Sequence, residues 1–198
     1  MQAVFLDKQT LQANISLTNI QQHVSQLQSF NVTSAAQVVE RSCYAEIIIT
    51  NKVRLSAELL KQLPKLKLIC IAATGTNNVD LVAAKTLGIA VCNVSGYSTP
   101  SVAQYVFAQM LEYFSQTSHH NQNTEQEMWQ HSPTSCVLGN GFTELSGKSL
   151  GIVGYGNLGQ AVAKIGQAFG MQVLLAERPN VQVIREGRLS FEQVLSQA

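Results

Sequence analysis

The first half of the chain alternates two kinds of apolar pattern. Short, nearly unbroken apolar runs at residues 4–6, 46–50, 66–73 and 89–93 have the length of strands, and Ile47, Ile48 and Ile49 give the second run strong β character. Between the runs, apolar spacing predicts helices over residues 17–27, 35–41, 56–63 and 79–87. Asn78 stands where the last of these needs a cap, and Gly88 where it needs a left-handed stop. Short apolar strands separated by helices predict a parallel sheet covered on both faces.

The second half opens on a longer helix. Thr99 is placed to cap it, Pro100 suits its first turn, and Val102, Val106, Met110 and Phe114 make one apolar stripe. Residues 115–135 are polar, as in a surface helix or long connection, with Trp129 as a single anchor. A strand at 149–153 follows, then Gly154-Tyr155-Gly156-Asn157-Leu158-Gly159, then a helical pattern on Leu158, Val162, Ile165 and Phe169. A further strand covers 171–176 and ends at Glu177. Ser190 and Gln193 form a capping box, with Leu189 and Val194 as its apolar staple.

That strand, glycine turn, helix and acid stand in the order a dinucleotide site requires. Gly154 allows a tight turn, Gly156 lets backbone N–H groups reach a pyrophosphate, and Gly159 lets helix and strand pack closely. The helix start then offers unpaired donors, including the amides of Asn157 and Leu158, and a positive dipole end. Glu177 follows Gly159 by 18 positions, close to the ~20 expected of the acid that holds the adenosine ribose. A 2′-phosphate beside that carboxylate would meet like charge, so the sequence favours NAD and makes NADP less likely; Arg178 tempers the preference.

Composition narrows the class. Of 198 residues, 45% are hydrophobic and only 13% charged, about half the usual ~25% share, and the net charge is +1. Nothing in that balance favours nucleic acid or an anionic membrane. No apolar run reaches the ~18 residues of a span, and the first apolar run is too short for a signal peptide, so a cytoplasmic protein is expected. Cys43, Cys70, Cys92 and Cys136 lack metal-ligand spacing; Cys70 and Cys92, inside strand-like runs, are expected as buried free thiols. The neighbours His119 and His120 would diverge on a helix, and no metal site is expected.

Several runs together resemble one family. These are Ala73-Thr74-Gly75-Thr76-Asn77-Asn78-Val79-Asp80, Asn93-Val94-Ser95-Gly96-Tyr97-Ser98-Thr99-Pro100-Ser101-Val102-Ala103-Gln104, the stretch 129–150, and 151–170. The chain resembles the D-isomer-specific 2-hydroxyacid dehydrogenases, most closely the glycerate dehydrogenase (hydroxypyruvate reductase) branch. The resemblance implies an α/β protein with a flavodoxin-like substrate domain over 1–97 and a truncated Rossmann NAD-binding domain over 98–198. It implies an oxidoreductase interconverting a small 2-hydroxy acid and 2-keto acid, and a homodimer contacting through the Pro100 helix and the following arm.

It further implies that Thr74 and Gly75 form the substrate loop, whose backbone N–H groups hold a carboxylate. The same resemblance sets Thr99 near the cofactor. Independently, a Gly-containing turn between a buried strand and a helix start suits an anion nest. The family's substrate Arg, its proton-exchanging His and the acid tuning that His match nothing in the chain. None of His23, His119, His120, His131, Arg41, Arg54, Arg178, Arg185 or Arg188 fits, and the three are expected beyond Ala198. A doubly wound domain has six strands; two are legible, three if 181–184 is counted, so the chain is expected to be C-terminally incomplete. The alternative is a non-catalytic chain that binds a nucleotide or pairs with a full-length homologue.

Overall fold

The isoleucine run at 47–49 organises the first half. In the computed structural model, which describes residues 1–12, 14–134, 136–139 and 141–198, it lies in the middle strand of a five-stranded sheet. The strands are β1 (Gln2–Phe5), β2 (Gln26–Ser29), β3 (Ile47–Thr50), β4 (Leu68–Ile71) and β5 (Ala90–Asn93). All pairs are parallel, in the order β2-β1-β3-β4-β5, which is the flavodoxin-like winding. Side chains alternate across the sheet. Ile48 joins Val4, Leu6, Ile69 and Ile71 on one face, while Ile47 and Ile49 join Ala3 and Phe5 on the other. Burying both faces stabilises by about 1.5–3 kcal/mol per large apolar side chain, and this explains why the strands read as continuous apolar runs.

Four short helices accompany this sheet: α1 (Thr18–Gln21), α2 (Val38–Ser42), α3 (Ala57–Leu60) and α4 (Leu81–Thr86). The helix expected over 17–27 is corrected. Only its first turn is helical, and the chain then enters β2, whose Gln26 pairs with Gln2. Ile20, Val24 and Leu27 still reach one apolar cluster, which is why their spacing imitates a helix. The cap of α4 is also corrected. The Asp80 carboxylate accepts the Ala83 N–H at 2.9 Å, whereas the Asn78 amide donates to the Val53 carbonyl. Gly88 does stop α4, at φ +71°.

The chain divides into two compact units, Met1–Tyr97 and Ser98–Ala198. The second contains α5 (Thr99–Ser115), α6 (Thr117–Glu125), α7 (Met128–His131), β6 (Ser149–Val153), α8 (Asn157–Ala168), β7 (Gln172–Ala176) and α9 (Phe191–Gln197). β6 and β7 pair in parallel, with Gly151 opposite Leu174. α5 and α8 meet through Phe107 stacked on Phe169, with ring centroids 5.4 Å apart. Gly166 lies so close to β6 that a Cβ there would come 2.7 Å from Leu150 Cδ2. On α9, the Ser190–Gln193 capping box forms in both directions. Of the expected α5 stripe, Val106, Met110 and Phe114 are half-buried against the buried Phe107, while Val102 remains exposed.

Three further expectations change. Residues 181–184 form no strand; instead Leu189 makes a single parallel bridge to Ala176. Trp129 is 60% exposed and so is not a buried anchor. The polar stretch is broken by Gln116 and Glu127, both left-handed at φ +50° and +55°, and so becomes two short helices; Ser135 lies outside the described residues. No helix is long and apolar enough to cross a membrane among the described residues.

Candidate functional site

The glycine turn links β6 to α8. Gly154 has φ +93°, a conformation open to glycine and strained for other residues. Gly156 caps α8 with extended backbone, and a Cβ there would meet nothing within 4 Å. A Cβ on Gly159 would run into the Gly154 carbonyl oxygen, so the third glycine is fixed by packing inside the turn itself. The first intrahelical bond is Gln160 N–H to Gly156 O, at 2.9 Å. The amides of Asn157, Leu158 and Gly159 find no protein acceptor among the described residues, as expected of a helix start. Open space ahead of Gly156, unpaired donors and the positive dipole end fit a pyrophosphate.

A cleft of about 390 Å³ lies beside this turn. Gly154, Tyr155 and Gly156 line one side; Glu177, Arg178, Arg185 and Arg188 line the other. Glu177 therefore stands at the end of β7, in the cleft of the glycines, but its carboxylate is only 3% exposed and fully engaged. Oε1 accepts Arg185 Nη2 at 2.6 Å and the Arg178 N–H at 2.9 Å. Oε2 accepts Arg185 Nε at 2.6 Å and the Arg185 N–H at 3.4 Å, and Arg188 Nε lies 3.9 Å away. The bidentate Arg185 guanidinium, then the Arg178 amide, hold the Glu177 acid down at about 2, against the opposing effect of burial. The sequence marked Glu177 but gave no sign of its Arg185 partner.

In the first unit, Thr74 and Gly75 follow β4 on an exposed turn. Thr74 Oγ1 donates to the Val94 carbonyl at 3.0 Å, and Asn93 Nδ2 donates to the Thr74 carbonyl at 2.7 Å. These bonds tie the turn to the end of β5. The N–H groups of Thr74, Gly75 and Thr76 meet no protein acceptor among the described residues. Thr99 is the first residue of α5 and not its cap; Ser98 holds that position, without a side-chain capping bond.

A buried acid missed from the sequence is Asp7, just after β1. Its carboxylate accepts the N–H groups of Asn51, Lys52 and Val53, the Lys52 bond at 2.6 Å. It thereby fixes the loop after β3. Only an acid directly after a buried strand hinted at it.

The four cysteines are free thiols. Cys92 is exposed, against expectation, with Sγ 3.5 Å from Cys70 Sγ on the neighbouring strand. Burial, then the bond from Cys92, pushes the Cys70 thiol up to about 12. His119 shares a hydrogen-bond distance of 3.2 Å with Asn123, and no metal-binding cluster occurs among the described residues.

Residues 4–181 match the family model of the D-isomer specific 2-hydroxyacid dehydrogenase catalytic domain. A Haemophilus influenzae protein assigned by name to the 2-hydroxyacid dehydrogenases is 41% identical over 199 residues, covering 100% of this chain and 62% of the relative. A glycerate dehydrogenase of Methylorubrum extorquens is 35% identical, covering 98% of this chain and 60% of that protein. Among solved structures, a D-lactate dehydrogenase of Aquifex aeolicus complexed with NAD and lactic acid superposes with a TM-score of 0.74 at 26% identity, over 99% of this chain and 58% of that one. The chain thus spans roughly 60% of the length of the relatives it matches. With the glycine turn, the flavodoxin-like sheet and these matches agreeing, the chain belongs to the D-isomer-specific 2-hydroxyacid dehydrogenase family.

Proposed function

We propose that the chain is the cofactor- and carboxylate-binding part of a nicotinamide-dependent dehydrogenase that interconverts a small 2-hydroxy acid and its 2-keto acid. The glycerate and hydroxypyruvate pair is the favoured substrate, supported by the glycerate dehydrogenase relative. The observation that carries the reading is the turn at Gly154–Gly159, with open space at Gly156 and three helix amides that find no protein acceptor among the described residues. An acid at Glu177, taken without its partners, favours NAD(H). When bound, the nicotinamide supplies or accepts the hydride.

In this reading the amides of Asn157 and Leu158 hold the pyrophosphate, and Gly156 leaves room for it. The N–H groups around Thr74 and Gly75 hold the substrate carboxylate, on a turn kept in shape by Asn93 and Val94. Thr99, the first residue of α5, is taken in this reading as a further cofactor contact. The orienting Arg, the proton-exchanging His and its acid are expected in the length of the relatives that this chain does not match. Exposed Tyr105 and Tyr113 on α5, with exposed Trp129 and Phe142 after it, support a homodimer contact there.

Hydrogen exchange tests the assignment. NADH should slow exchange at 154–159, and hydroxypyruvate at 74–76. Protection at neither stretch would contradict the proposal. The 198-residue chain mixed with both is expected to bind without oxidising NADH; turnover at enzyme rates would show that catalytic groups have been wrongly excluded from it.

A further inference from the structure

The pairing around Glu177 changes what its cleft can bind. An ionised carboxylate offers about four lone-pair sites. Here the Arg185 side chain takes one on each oxygen, and the Arg178 and Arg185 amides take the others. A ribose diol needs acceptors for its two hydroxyl protons, and it finds none vacant. Three arginines, Arg178, Arg185 and Arg188, line the cleft with this neutralised acid. Arg185 is bonded through Nε and Nη2, which leaves Nη1 unused. Arg188 is held by the Ala176 carbonyl. Arg178 is exposed and forms no ion pair among the described residues. The same cleft reaches Gly154 and Gly156. One carboxylate against three guanidiniums leaves a net positive, donor-rich pocket, which suits a phosphate.

We infer that this pocket takes the 2′-phosphate of NADP(H), with Arg185 as the specificity-determining residue: by occupying Glu177 it turns an acid that should select NAD(H) into part of a phosphate site. The inference rests on the dinucleotide reading above and reverses its preference between the two cofactors. With Arg185 paired, Glu177 no longer repels a phosphate, and Arg178 and the outer edge of Arg185 are open to it. With Arg185 removed, two carboxylate oxygens face the cleft again, accepting ribose hydroxyls and repelling the phosphate.

Calorimetric titration of the chain with NADPH and with NADH at low salt decides between these states, since the two ligands differ only in the 2′-phosphate. NADPH should bind at least tenfold more tightly. Arg185→Ala should weaken NADPH tenfold or more while NADH binding holds or strengthens, reversing the order. Arg178→Ala should weaken NADPH alone. Tighter binding of NADH than of NADPH by the unmodified chain would overturn the inference and leave the dinucleotide reading standing. Failure of both ligands to bind would overturn the dinucleotide reading itself. The ratio on the unmodified chain needs no variant, so a misfolded variant does not blunt the test.

Discussion

The two units solve their packing differently. In the first, five parallel strands bury apolar side chains on both faces, and Ile48, Leu60 and Ile69 are wholly enclosed. In the second, two strands carry a small set of contacts around Phe107, Leu145 and Met171, and a second set around Leu174, Ala176 and Val194. There glycines do what large side chains do in the first unit. Gly151 admits Val194, Gly166 admits Leu150, and Gly159 admits the Gly154 carbonyl. Stability therefore concentrates in side-chain volume in the first unit, and in backbone closeness in the second. The second arrangement is the one that leaves the first helix amides of α8 without a protein acceptor among the described residues.

That contrast can be broken by substitution. The largest effect is expected from Ile48→Ala. It should cost the first unit about 2–5 kcal/mol, read as faster amide exchange throughout β1 and β3. A loss under about 1 kcal/mol would mean that volume is not what holds this sheet. Next comes Gly159→Ala, in which the new methyl meets backbone and the turn must shift. About 1–3 kcal/mol should be lost from the second unit, with β6 and β7 exchanging faster. Ser190→Ala removes an acceptor from the capping box and should cost about 1 kcal/mol, seen as fraying of α9 alone.

The smallest effect is a pH dependence. Glu177 is held at about 2 against an ordinary 4.5, so its pairing stabilises fully above pH 4.5 and is lost as pH falls through about 2. The difference in thermal midpoint between the chain and Glu177→Gln should be flat from pH 8 to 5 and close only below 4.5. Closure between pH 5 and 8 would contradict the ion pair.

Local patterns were legible in the sequence, and distant pairings were not. The isoleucines of β3, the stop at Gly88, the capping box at Ser190 and the whole glycine turn each depend on residues within a few positions. β2 escaped because Gln26-Leu27-Gln28-Ser29 is a polar edge strand, exposed along most of its length. Its one apolar residue also continues the helical spacing of Ile20 and Val24. Asp7 escaped because the N–H groups it gathers come more than forty positions later. Glu177 was found as an acid, but its state depends on an arginine across a turn with no periodic pattern. The sequence thus marked the acid, and only the structure brought its Arg185 partner to it.

The central claim is that the glycine turn is built for a diphosphate. It is tested most directly at Gly156, whose missing side chain touches no protein atom and whose φ of −87° suits any residue. Gly156→Ala should leave the melting of the second unit unchanged and weaken dinucleotide binding at least tenfold in calorimetry. Binding left intact in that variant, or a melting point that falls with it, would contradict the account.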